Sequence, residues 1–350
     1  MKPGQITEKV SLRDPLTRAY SADFMADCFE RERSKASRYR RPFSLVFLSV
    51  ENRASLMVQT RENVVAAALS EMIGAVMKAV RGSDIVGRVS SDRFCVLLAE
   101  TDGFGSMITL RRLRKRAHET GIFRYLGKEF ALAPCLVSVT YPREGKDFGE
   151  LSRVAEEKCL RQRNGPLHRL RLMDKPVWEA FDILVDKDAD GNVQTRRDDG
   201  NPAGRDGKDL GRNGYFSLDR AIYLRLVEAI AQDAASLGNS RGIVVAAGPR
   251  PEIFRRIFLS FGSEASARCR ISIVGKAGSA RFDAKNLAFV AADDEYLKDR
   301  EVLLYLKESG AYGIFATGRD DEMCGFNSSD EWLVDTMMDK LQEEYFPSGN

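Results

Sequence analysis

Short apolar runs along the chain alternate with longer segments whose apolar residues recur every three or four positions. Phe43-Ser44-Leu45-Val46-Phe47-Leu48 follows a proline and predicts a buried strand. Across 61–80, Val65, Leu69, Met72 and Val76 keep helical spacing, which predicts an amphipathic helix. Residues 10–38 read as charged helices. Phe94–Leu98 reads as a strand, 104–118 as a helix, 130–141 as strand-like and 148–163 as a helix. Strands alternating with helices imply an α/β layer fold.

The pattern breaks at 186–214, a stretch rich in glycine and charge with almost nothing apolar. Such a segment reads as a linker or long loop. Beyond it the alternation resumes. Ser217 is placed to cap a helix running to about Leu237. Strand 242–247, helix 251–261, strands 270–274 and 287–291, helix 294–309, strand 312–316 and helix 330–345 complete the expected order. The chain therefore divides into a first domain over 1–174, a linker over 175–214 and a second α/β sandwich domain over 215–350. No internal repeat relates the halves.

Composition adds little to the class. Apolar residues make up 43% and charged residues 30%, as in ordinary soluble proteins. No apolar run approaches the roughly 18 residues that cross a bilayer. The N-terminus lacks the apolar core of a signal peptide. A cytoplasmic protein without membrane contact is expected. The six cysteines are scattered without a zinc or redox spacing, and read as small buried thiols in a reducing compartment. The two histidines, His118 and His168, lie near no cysteine and disfavour a histidine metal site or a Ser-His-Asp triad. Charge is uneven: residues 1–174 carry a net +10 and 175–350 a net −7. The basic half suits a polyanion or a nucleotide, or it suits the acidic half. Charge leaves both open.

Ordered motifs carry a family resemblance. Asp14-Pro15-Leu16-Thr17 with Tyr20, the run Arg38 to Leu45, Arg81-Gly82-Ser83-Asp84 with Arg88, Ser90-Ser91-Asp92-Arg93-Phe94, Leu97 to Asp102, and Glu156 to Gly165 occur in sequence. Together they resemble a GGDEF domain over about 160 residues. The resemblance implies a nucleotidyl-cyclase-like mixed sheet flanked by helices. It also implies a relationship to enzymes in which two domains meet around two GTP molecules and make cyclic di-GMP, with divalent cations on carboxylates.

This sequence departs from that chemistry. The first metal carboxylate of the family falls on Ser49. Its two glycines, which let backbone approach phosphate, fall on Ser90 and Ser91. Its acidic pair falls on Asp92 and Arg93, and its guanine-reading Asn and Asp on Met57 and about Ala66. Only Glu51 and Asp92 remain as carboxylates there. Loss of cyclase activity is expected, with no metal and no cofactor. The family's inhibitory site keeps its spacing: Arg81 and Asp84, with Arg112 on the following helix, would bind cyclic di-GMP. An arginine fork matches guanine O6 and N7, and a carboxylate accepts from the N1–H and N2–H₂ edge. The alternative is a solvated turn pair inherited from an active ancestor.

Other motifs read as bland. Asp186-Lys187-Asp188-Ala189-Asp190-Gly191 is similar to half a calcium loop, but Arg197 stands where the closing Glu belongs. The basic face Arg111–Arg116 has no adjacent aromatic for base stacking, so nucleic acid is not expected. Gly248-Pro249-Arg250-Pro251 lacks dinucleotide-loop spacing. The second domain is similar in pattern to the DICT sensory module, which implies an interaction or sensing role. The leading expectation is an inactive cyclic di-GMP receptor acting with a protein partner or as a homodimer. Two alternatives stay open: a ligand-free dimerisation or scaffold module, and a pseudo-enzyme that still holds GTP.

Overall fold

The computed structural model describes residues 11–185, 213–238, 240–260, 268–276, 286–319 and 321–346. Contacts divide the chain into two compact units, Met1–Arg161 and Gln162–Asn350.

The first unit is built on β1 (Phe43–Val50), β2 (Ile85–Arg88), β3 (Arg93–Leu98) and β6 (Pro134–Tyr141), in the spatial order β2-β3-β1-β6. All three pairings among these strands are antiparallel. The parallel element is a single bridge from Tyr20 to Gly87. Strand residues alternate between two faces. Val46, Leu48, Phe94 and Val96 pack against α3 (Glu62–Ala79) and α4 (Gly103–Thr120), through Val65, Leu69, Met72 and Leu113. Phe43, Leu45, Leu97 and Val137 face α1 (Ala22–Tyr39) and α5 (Phe148–Asn164), through Met25, Phe29, Leu151 and Ala155. The result is a helix–sheet–helix sandwich. Burying Met25 and Phe29 contributes about 1.5–3 kcal/mol each. A short α2 (Arg53–Gln59) follows β1. A small hairpin, β4 (Ile122–Tyr125) and β5 (Lys128–Ala131), precedes β6, so the strand-like stretch 130–141 spans the end of β5 and all of β6.

The second unit holds a seven-stranded sheet in the order β10-β9-β8-β11-β12-β13-β7. Its strands are β7 (Asn213–Asp219), β8 (Gly242–Ala247), β9 (Cys269–Gly275), β10 (Leu287–Ala291), β11 (Arg300–Lys307), β12 (Gly310–Arg319) and β13 (Glu322–Ser328). β8, β9 and β10 run parallel, and the remaining pairings are antiparallel. One face packs on α8 (Arg220–Ala235) and α9 (Pro251–Ser260) through Tyr223, Val227 and Phe254. The alternate face takes α7 (Val177–Val185) and α10 (Glu331–Tyr345), with Phe181 edge-on to Phe315. Trp178 donates to the Tyr345 hydroxyl at 2.9 Å, which donates to Asp294 at 2.6 Å. Arg300 holds Asp182 by two 2.9 Å bonds.

Four expectations need correction. The first domain ends earlier than 174, because Leu167 and Leu172 are fully buried and Lys340 of α10 donates to the carbonyls of Met173 and Lys175 at 2.7 and 2.6 Å. The expected linker over 175–214 begins instead with α7, an amphipathic helix. Ser217 does not cap a helix. It lies in β7, bonded to Glu322, and Asp219 caps α8 by accepting from the Ala221 amide at 2.7 Å. The helix expected over 294–309 is a short 3-10 turn, Glu295–Lys298, followed by strand β11. Val302 to Leu306 are all buried, and a strand covered on both faces loses the two-residue alternation that would mark it. β13 was not legible either, since Gly325 interrupts it; a Cβ there would come within 2.0 Å of the Phe315 carbonyl. The calcium-loop candidate at 186–191, with Arg197, lies outside the described residues.

Candidate functional site

The Asp14 turn and the β2–β3 hairpin are joined by one guanidinium. Asp14 Oδ1 accepts from the Thr17 amide and hydroxyl, both at 2.7 Å. Its other oxygen accepts from Arg88 Nη1 at 2.8 Å. Arg88 also donates through Nε to the Ser90 carbonyl at 3.1 Å and through Nη2 to the Ser91 carbonyl at 2.6 Å. Both partners of the ion pair are largely buried, at 17% and 14% exposure. Burial alone would raise the Asp14 carboxyl. The Thr17 and Arg88 hydrogen bonds outweigh it and hold the carboxyl below its ordinary range. Tyr20 exchanges backbone bonds with the β2 edge, its N–H to Val86 at 2.8 Å and its carbonyl from Arg88 at 2.8 Å. The first two motifs are thus a strut and its socket.

Ser90, Ser91 and Asp92 form the hairpin loop. Neither serine adopts a positive φ, so the loop closes without glycine's conformational freedom. Ser90 Oγ donates to Asp92 Oδ1 at 3.0 Å. Val50 N–H reaches the Asp92 carbonyl at 3.3 Å, placing the loop beside the end of β1. There the register is decisive: Ser49 pairs with Arg93 on one side and with Cys135 on the other. Arg93 donates to Glu156 of α5 at 2.5 Å. That bond, ahead of the cost of burial, raises the guanidinium's pKa further.

The donors around Ser49 do not fit a magnesium–triphosphate site. Magnesium takes oxygen ligands, chiefly carboxylates, phosphates and water, in an octahedron. Here one family carboxylate is a hydroxyl, one is a cation, and Asp92 is bonded to Ser90. Among the described residues no group of three or more His, Cys, Asp or Glu is arranged to hold a metal. Glu51 is exposed at the end of β1. Next to it Asn52 clamps the chain at 131–133, donating to Ala131 and accepting from Ala133, both at 2.8 Å. Met57 packs against the sheet core, so the side chain at the guanine-reading position is folded inward. Ala66 is half-buried on α3.

Arg81 and Asp84 share one turn just after α3. The Arg81 amide donates to Asp84 Oδ2 and the Asp84 amide to the Arg81 carbonyl, both at 3.0 Å. The Arg81 side chain is exposed and makes no hydrogen bond or ion pair with a described residue. Arg112 is exposed on α4, a helix that packs beside α3, and is bonded to neither. Its neighbours are engaged: Arg114 donates to the Leu136 carbonyl at 3.0 Å and Arg116 pairs with Glu119 at 3.1 Å. The basic face of α4 is therefore not one continuous patch.

Residues 11–166 match the family described as "Diguanylate cyclase, GGDEF domain". This segment is a GGDEF domain. The chain is 26% identical over 167 residues to the diguanylate cyclase DosC of Escherichia coli K12, covering 48% of this chain and 35% of that one. It thus spans about a third of the length of that relative. Similar solved structures include the diguanylate cyclase SiaD of Pseudomonas aeruginosa in complex with its activator SiaC (21% identity, 44% of this chain and 59% of that one, TM-score 0.41). Another is the FimX GGDEF domain of the same organism (18% identity, 45% and 96% coverage, TM-score 0.40).

Three features of this GGDEF domain were not legible in the sequence. Glu156 on α5 is the partner of Arg93 on β3, 63 residues along the chain. The Arg88 strut spans 74 residues. Cys135 and Cys159 meet across 24 residues that include a turn and half a helix. None of these spacings has a local signature. A signal did exist for Asp102, which caps α4 by accepting from the Gly105 amide at 2.8 Å, since an acidic residue before a helical pattern is a capping cue. No described helix is long and apolar enough to cross a membrane.

Proposed function

We propose that this GGDEF domain no longer makes cyclic di-GMP and instead receives it in the cytoplasm, at Arg81, Asp84 and Arg112, passing the signal to a protein partner or a second copy of the chain. One observation carries the reading. The exposed Arg81 guanidinium is free of described partners beside a carboxylate fixed by its own turn, whereas Arg93 at the old catalytic position is neutralised by Glu156. A guanidinium left to solvent keeps its fork for a planar, bidentate acceptor such as guanine. Asp84 keeps further lone pairs for a guanine edge while one oxygen holds the turn.

Titration calorimetry of the full chain with cyclic di-GMP tests this. Arg81→Ala should weaken binding by about 5- to 150-fold, the worth of one bidentate guanine contact. Equal affinity for the two proteins would rule the assignment out. A second reading rests on the Asp84 carboxylate, whose bond to the Arg81 amide gives it a structural duty without any ligand. Under that reading the domain is a scaffold, and neither cyclic di-GMP nor magnesium-GTP raises its melting temperature.

A further inference from the structure

We propose that Cys135 and Cys159 form a reversible modification site, a dithiol that low-molecular-weight disulfides oxidise to an intramolecular disulfide. Cys135 lies at the start of β6 and Cys159 in α5. The sulfurs of Cys135 and Cys159 lie 2.7 Å apart. A disulfide needs about 2.05 Å between sulfurs, so only a small approach separates the pair from a bond. Neither is disulfide-bonded.

The surroundings give the two sulfurs different parts. Cys135 is buried at 7% exposure, and its bond to Cys159, together with burial, pushes its thiol well up. Burial shields it from an external disulfide, so it enters only the second, internal exchange. Cys159 is only half-buried, so an oxidant reaches it first. Glu51 opposes and Arg114 favours charge on Cys135. The pair also sits at the rebuilt centre of the domain. Cys135 is the strand neighbour of Ser49, and Glu156, one helical turn before Cys159, holds Arg93. An oxidised pair would fasten α5 to the sheet at the level of the signature hairpin.

The chemistry balances as thiol–disulfide exchange. The Cys159 thiolate attacks one sulfur of oxidised glutathione, forming a mixed disulfide and releasing one glutathione thiolate. The Cys135 thiol loses its proton and attacks Cys159 Sγ, forming the internal bond and expelling the second glutathione. The two cysteines lose two electrons, the glutathione disulfide gains them, and the two thiol protons end on the two glutathione thiols.

The test is independent of nucleotide binding. The full chain is incubated with oxidised glutathione, quenched in acid, denatured, alkylated and mapped by peptide mass spectrometry. The expected product is about 2 Da lighter than the reduced protein before alkylation, as a disulfide requires. It should contain a linked Cys135–Cys159 peptide that dithiothreitol releases, with the other four cysteines alkylated. In Cys135→Ala, Cys159 should accumulate a stable glutathione adduct. A wild-type chain that carries the adduct on Cys159 without the link, links other cysteines, or stays fully reduced would overturn the proposal. The wild-type measurement decides by itself if the variant fails to fold.

Discussion

The hairpin loop Ser90–Arg93 and the turn Arg81–Asp84 lie a few residues apart on the same domain and have met opposite fates. In the loop almost every polar group has found a partner inside the protein. Arg88 spans Asp14 and two loop carbonyls, Ser90 bonds Asp92, and Arg93 pairs with Glu156. In the turn the backbone is satisfied, yet the Arg81 guanidinium reaches into solvent. The difference is instructive. Arg93 is half-exposed and its charge is balanced within the protein by Glu156, an arrangement that costs and gains little at such a surface. Arg81, on an exposed turn, has no described partner to hold its side chain.

That contrast can be broken most forcefully at Arg88. Arg88→Met leaves Asp14 largely buried without its partner and two loop carbonyls unmet, and should cost about 3 kcal/mol. The readout is the denaturation midpoint by far-UV circular dichroism, since both tryptophans, Trp178 and Trp332, lie in the other unit. Arg81→Ala, whose side chain is bonded to no described residue, should change that midpoint by less than about 0.5 kcal/mol. If the two variants destabilise alike, the contrast is false.

Closing the Cys135–Cys159 bond should stabilise the same transition by about 3 kcal/mol, the loop-closure value for a loop of this size. The midpoint with and without dithiothreitol checks it. Acid sharpens the comparison further. The folded Asp14 carboxyl is held below its ordinary range, so its contribution is present above the unfolded value of about 3.9 and is lost as pH falls through the folded value. Asp14→Asn should therefore be less stable than the parent near neutrality, and the gap should close below about pH 4. Denaturation midpoints between pH 2.5 and 6, as an approximate range around that value, measure it. A small destabilisation is expected at Arg93. Arg93→Glu sets like charges against Glu156 on a half-exposed surface and should cost about 1 kcal/mol or less. Swapping both, as Arg93→Glu with Glu156→Arg, should restore most of it. No recovery in the double variant would mean the pair does not neutralise the hairpin.

The sequence by itself determined the layer class, the first sheet's central strand and the helices on either side. Phe43–Val50 and Glu62–Ala79 bury residues at spacings that period alone reveals. It also carried the ordered motifs of a GGDEF domain, with Ser49, Met57 and Arg93 at positions fixed by order along the chain. Tertiary structure alone decided the rest. β11 reads as a helix until its neighbours cover both of its faces, and β13 exists because Gly325 lets β12 approach. The Arg93–Glu156 pair, the Arg88 strut and the facing sulfurs of Cys135 and Cys159 join residues 24 to 74 positions apart. Local spacing records periods of two and of 3.6 residues, set by backbone geometry. It holds no record of which distant segments the sheet register will bring side by side.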